Sequence, residues 1–168
     1  MRFFIYIALF CVLSSCWPTS VSFVDGNMPP EWKFFSIKTL ENNAPNAPLS
    51  YAALLSEDLK DGVQNNTKLK LNSSPNTGEV QIEGVIGNYT VSPIAIQAGD
   101  VAAKNRLTVS VNFKIYIKAP KEDEMNLTAT RFFDFDSSQD FASVEKQLIE
   151  EINKQIVQDL INKLLSNW

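Results

Sequence analysis

Asp134, Asp136, Ser138 and Asp140, followed by Glu145, place oxygen donors at the first, third, fifth, seventh and twelfth positions of one stretch. That is the ligand spacing of a calcium-binding EF-hand loop. Gln139 stands where such a loop needs a glycine for its sharp turn, and the flank before it alternates like a strand instead of a helix. The stretch therefore reads as a strand end and a helix start, with Ser137 or Ser138 and Asp140 supplying N-terminal capping and favourable charge, and no metal is expected. Asp134 and Asp136 share one strand face and would be the pair for acid–base work, but a turn of exposed acids is the more usual meaning. The chain contains no histidine, so Ser–His, Cys–His and His–metal constellations are excluded. With the commonest acid–base side chain missing, the reading is a protein that is not an enzyme and uses no cofactor.

Three cations stand out by position. Arg131 falls in the apolar row between Ala129 and Phe133, where an arginine snorkels over an edge, pairs with a carboxylate or faces an anionic ligand. Lys104 and Arg106, just before the most regular strand, are two further groups that a ligand phosphate would use. The bland alternative for all three is a solvated strand end with an ordinary ion pair.

The remaining reactive side chain is Cys16. Arg2, an apolar run from Phe3 to Leu13 and then Ser14, Ser15 and Cys16 follow the order of a secretory signal peptide. The run is too short to span a bilayer, which takes about 20 apolar residues. Leu13-Ser14-Ser15-Cys16 resembles the bacterial lipobox, in which the cysteine is acylated, with palmitate among its chains, and becomes the first mature residue. An ordinary signal peptide leaving Cys16 as an unpaired thiol is the alternative, a reactive liability in an oxidising compartment. Residues 1–15 are thus expected to be removed, 16–32 to form a lipidated tether, and 33–168 to form one domain.

The elements that must position these groups follow from periodicity. Lys33 to Leu40 reads as a short strand and Glu41 to Pro48 as a loop. Ala52, Leu55, Leu59 and Val63 recur at helical spacing over about Leu49 to Val63, with Asp61-Gly62 fraying the end. Lys68 to Leu71 is a possible short strand. Glu79 to Ile96 is β-rich but changes phase, and Gly84 sits at the switch, which suggests a bulge. Leu107, Val109, Val111, Phe113, Ile115 and Ile117 alternate with polar residues in the cleanest strand signal of the chain. Met125 to Phe135 repeats the alternation. A long helix over Ser143 to Leu165 carries a broad apolar stripe, with Glu150–Lys154 and Asp159–Lys163 spaced as surface ion pairs. The expected architecture is α+β: a mainly antiparallel four-stranded sheet with two helices packed on one face. The formal charge is −4 with no long basic run, so nucleic acid is a poor partner.

Taken together, these segments resemble the LptE family of outer-membrane lipoproteins that assemble lipopolysaccharide. The resemblance runs through Ser22-Phe23, Pro29-Pro30, Phe35-Ser36-Ile37, Asn42-Asn43-Ala44-Pro45 and Tyr89-Thr90-Val91-Ser92-Pro93-Ile94-Ala95. It continues in Asn105-Arg106-Leu107-Thr108-Val109, Asp136-Ser137-Ser138-Gln139 and the closing Asn167-Trp168. It implies two helices on a four-stranded sheet. It also implies a non-enzymatic subunit of the translocon that plugs and helps assemble an LptD-like β-barrel and contacts lipopolysaccharide. The implied location is the outer membrane of a Gram-negative bacterium, lipid-anchored, facing the periplasm or the barrel lumen. The family's lipopolysaccharide-contacting residues do not align here, so Arg106, Arg131 and Lys104 stand as candidates by position alone. The alternative function is an envelope lipoprotein acting as a general binding module or transporter accessory.

Overall fold

The computed structural model describes residues 28–94 and 104–166. Cys16, the signal and most of the tether, the Ala98-Gly99 loop and Asn167-Trp168 lie outside the described residues. The elements run β1 (Phe34–Ile37), β2 (Glu41–Asn42), α1 (Tyr51–Asn66), β3 (Lys70–Leu71), β4 (Val80–Ile94), β5 (Lys104–Ile117), β6 (Asp123–Asp136) and α2 (Phe141–Leu165).

The strict alternation of β5 dictates the layering. Leu107, Val109, Val111, Phe113, Ile115 and Ile117 are all buried, while Thr108, Ser110, Asn112, Lys114 and Tyr116 point to the other face. Antiparallel neighbours continue both faces, because β4 pairs Ile82 with Ile115 and β6 pairs Ala129 with Val111. α1 and α2 cover the apolar face. α1 contributes Tyr51, Ala52, Leu55, Leu59 and Val63, and α2 contributes Leu148, Ile152, Ile156, Leu160 and Leu164. Each of the leucine, isoleucine and valine side chains, fully buried, is worth about 1.5–3 kcal/mol relative to exposure.

The α+β class holds, but the sheet has six strands and is mixed, in place of the mainly antiparallel four-stranded sheet expected. Its order is β3-β1-β4-β5-β6, with β2 also paired to β4. β1 runs parallel to both β3 and β4, and β2 parallel to β4. The physical reason is the α1 crossover: a helix between two strands returns the chain in the same direction. β1 and β2 are two pieces on one edge of β4. Between them the chain leaves the ladder so that Leu40 enters the core and its N–H donates to Ser56 Oγ of α1 at 2.9 Å.

Two glycines have different duties from those expected. The phase change of β4 lies at Gly87, where the register skips between Ile86 and Asn88. Gly84 is in register and buried; a Cβ there would stand 2.9 Å from Phe113 and 3.1 Å from Leu40. Likewise Gly62 does not end α1, which continues to Asn66. It lets α2 approach, since a Cβ at Gly62 would come within 2.2 Å of Val157 Cγ1. Past Asn66 the helix is closed by Thr67, whose hydroxyl donates to Val63 O at 2.7 Å and accepts from Leu69 N at 3.1 Å.

Candidate interaction surface

With helices on one face only, the other face of β4–β5–β6 is open. Its middle is a ladder of small hydrogen-bonding side chains. Ser110 and Thr130 hydroxyls lie 2.9 Å apart, Thr128 Oγ1 donates to Asn112 Oδ1 at 2.8 Å, and Asn88 Nδ2 donates to Thr90 Oγ1 at 3.2 Å. Charges on this face sit beside opposite partners: Lys114 lies 3.7 Å from Glu124, and Lys38 4.0 Å from Glu83. The result is a wet, nearly neutral surface suited to sugar hydroxyls, water or another polar wall.

Arg106 stands on this face near the β4–β5 end. The register sets it directly opposite Asp134, and the guanidinium donates to both carboxylate oxygens, at 2.7 and 2.9 Å. Its Cζ lies 3.7 Å from the centroid of Phe132, a half-exposed ring. Pairing and stacking together fix the plane of the guanidinium. The Arg106 hydrogen bonds, and after them the charges of Arg106 and Lys104, hold the Asp134 carboxyl below its usual range against the opposing effect of burial. Lys104, the first residue of β5, lies opposite Asp136 on the same face and is exposed. Lys104 and Arg106 therefore belong together.

Arg131 belongs elsewhere. Its place in the apolar row points it to the covered side, where it reaches Asp159 of α2: Nε donates to Oδ2 at 2.7 Å and the terminal nitrogen to Oδ1. Asp159 is thereby committed to the sheet, where the sequence suggested a helix-surface pair with Lys163. Arg131 is a strut between β6 and α2.

The acidic stretch that begins at the close of β6 disperses. Asp134 is held by Arg106. Asp136 accepts from Ser138 N at 2.8 Å and from its hydroxyl at 2.6 Å, which lowers its carboxyl. Asp140 occupies the N-cap position of α2 without a side-chain capping bond, in place of the cap expected there; its backbone carbonyl accepts from Ser143 instead. Glu145 turns to the covered face and accepts from the Tyr89 hydroxyl at 2.5 Å. Among the described residues no group of three or more histidines, cysteines or acids is close enough to hold a metal ion.

A buried polar relay escaped the sequence reading. Tyr51 OH donates to Asn153 Oδ1 at 2.8 Å, and Asn153 Nδ2 donates to Asp58 Oδ2 at 2.6 Å, joining the two helices beneath their surface. Burial, then the Asp58 charge, pushes the Tyr51 phenol far up, and burial with the Glu145 bond does the same for Tyr89, so both act as neutral donors. The available signal was Asn153, a polar residue set between Ile149 and Val157 at helical spacing.

Comparison with known proteins places this arrangement. The family model LptE, described as lipopolysaccharide-assembly, matches residues 35–164. No curated protein sequence matches the chain. Among solved structures, uncharacterized lipoprotein B from Nitrosomonas europaea superposes with a TM-score of 0.50 at 16% identity, over 83% of this chain and 84% of that one. A dodecameric PelC variant from Paraburkholderia phytofirmans gives 0.53 at 10% identity, over 85% and 94%. A Xanthomonas campestris protein gives 0.51 at 11% identity, over 82% and 89%. At these identities the structures speak to the fold alone.

Proposed function

The chain belongs to the LptE lipopolysaccharide-assembly family, and we propose that it serves as the non-catalytic lipoprotein subunit of an outer-membrane lipopolysaccharide translocon. In this reading residues 1–15 are removed, Cys16 carries the acyl chains, 16–32 form the tether, and 33–168 plug and assist assembly of an LptD-type β-barrel. The family match over most of the chain carries the proposal.

Two features of the fold support it. The open face of β4–β5–β6 is polar and nearly neutral, as a surface inside a water-filled barrel lumen needs to be. At its β4–β5 end, the exposed Lys104 and the Arg106 guanidinium, held in plane by Asp134 and Phe132, give cations to meet the phosphates of lipopolysaccharide as it passes. Arg131 points to the covered side, where its pair with Asp159 holds α2 in place. The domain faces the periplasm or the barrel lumen and works by shape, with no bond made or broken.

Site-specific photo-crosslinking in living cells tests this reading. Probes at Arg106 and in the Ala98-Gly99 loop are expected to capture barrel or glycolipid, and a probe at Arg131 to capture no glycolipid. Crosslinks from all three positions to soluble periplasmic proteins only would overturn it.

A further inference from the structure

The sheet ends unequally. One edge is β3, two residues long; the other is β6, which pairs with β5 along all 14 of its residues and meets no described strand on its outer side. Every second residue of an antiparallel strand turns its N–H and C=O away from the neighbour it pairs with. The outer side of β6 is therefore a row of backbone donors and acceptors open to another strand. Proteins blunt such edges with proline, lysine, a bulge or short length. β6 has no proline or lysine and no shift of register against β5, and Asn126 to Thr130 carries no charge. Further along, Phe132 on the open face and Phe133 on the covered face are both partly exposed. Beside the edge runs a hollow, with Leu127, Thr128 and Thr130 on one wall and Asn162, Lys163 and Ser166, at the end of α2, on the other. The remaining charges in its lining, Arg131 and Asp159, neutralise each other. Lys163 lies in the last turn of α2, against the negative end of the helix. The hollow is polar and close to neutral.

We propose that an extended, uncharged polar segment of the barrel partner adds to β6 as a further strand, its backbone hydrogen-bonded to the outward groups between Leu127 and Phe133. The inference rests on the reading of the chain as the plug of a barrel. Main-chain bonds supply affinity in such strand addition, and alternate side chains supply specificity. Polarity selects the occupant. One side of the added strand faces Asn162, Lys163 and Ser166, and the other extends the ladder of Ser110 with Thr130 and of Asn112 with Thr128. Both sides call for small polar residues, the character of segments that line a water-filled lumen. A second copy of the chain does not fit this reading, because one lumen takes one plug. The tether is too short. Phe35 of β1 is level with Val80, Ile117 and Asp123, and the outer side of β6 lies four strand spacings from β1, about 19 Å. Leu127 stands about 13 Å further along β6, so a tether leaving Met28 covers about 23 Å before it reaches Leu127. That takes about seven of the twelve residues back to Cys16. About five remain for the stretch from Leu127 to Phe133, and the last of them is the anchor itself.

Residue-resolved amide hydrogen exchange tests this on the full chain in detergent, purified alone and together with the barrel. In the chain alone, alternate amides from Leu127 to Phe133 are expected to be held by β5, and those between them to exchange freely. In the complex the freely exchanging set should slow by about tenfold or more, while the set already held by β5 changes little. Unchanged exchange in a complex that contains the barrel would remove the added strand and leave the plug reading standing. Failure to recover any barrel would remove both. Slow exchange at every one of these amides in the chain alone would also overturn the inference. Protection that rises with protein concentration would assign the edge to a second copy, and protection lost on deleting residues 17–27 would assign it to the tether.

Discussion

Gly62→Ala offers a sign test of how the two helices meet. In an exposed helix, replacing glycine by alanine stabilises by about 1 kcal/mol. Here the new methyl would stand 2.2 Å from Val157 Cγ1, far inside van der Waals contact. Valine in a helix is nearly confined to one χ1 rotamer, so it has little room to turn away. Overpacking of this kind costs about 1–3 kcal/mol, and after the propensity gain the net expectation is a loss of up to about 2 kcal/mol. In a Val157→Ala background the obstruction is gone, and the same Gly62→Ala change should stabilise by about 1 kcal/mol. Urea unfolding of the four proteins in a double-mutant cycle measures the difference, expected at about 1–3 kcal/mol of coupling. Stabilisation by the same amount in both backgrounds would refute the packing argument.

Further outcomes follow from the same geometry. Gly84→Ala, which drives a methyl against Phe113 and Leu40, is expected to lower the urea midpoint by about 1–3 kcal/mol of stability. Gly87→Ala, whose Cβ would meet only Asn112 Nδ2 at 3.4 Å, should be the milder change. The Asp134 carboxyl is depressed in the folded state, chiefly by the Arg106 hydrogen bonds. Its contribution to stability is therefore present above the unfolded carboxylate pKa and lost as pH falls through the lower folded value. Asp134→Asn should flatten that acid limb, and Arg106→Gln should move the Asp134 titration upward in carboxyl-resolved NMR. Arg131→Gln leaves Asp159 unpaired beside β6; for a partly exposed pair the expected loss is about 1 kcal/mol, read as faster amide exchange in the C-terminal half of α2.

What the sequence disclosed depended on how long each pattern persisted. β5 repeats one alternation six times and both its neighbours obey the same faces, so its layer and orientation were legible. β2 and β3 are two residues each, too short to show any period, and their places are set by register against β4 and β1. The parallel edge followed from α1 lying between β1 and β3, a constraint that hydrophobic pattern alone does not express. Gly84 and Gly87 both offered a break in β4, and only the side chains of Leu40 and Phe113 tell which one makes room and which one bulges. Gly62 looked like a helix end because the valine that requires it lies on another helix.

The candidate site divided along the same line. Arg106 and Lys104 were visible as cations at a strand start, and the antiparallel register explains why Asp134 meets Arg106. Arg131 stood out in an apolar row, but its partner lies 28 residues away and looked like half of a local pair with Lys163.

The central claim is that this chain completes a barrel of the LptD type. Affinity purification of the chain after detergent extraction tests it most directly. The account predicts that a β-barrel outer-membrane protein is recovered in near-equal amount; recovery of the lipid-anchored chain with no barrel would contradict it.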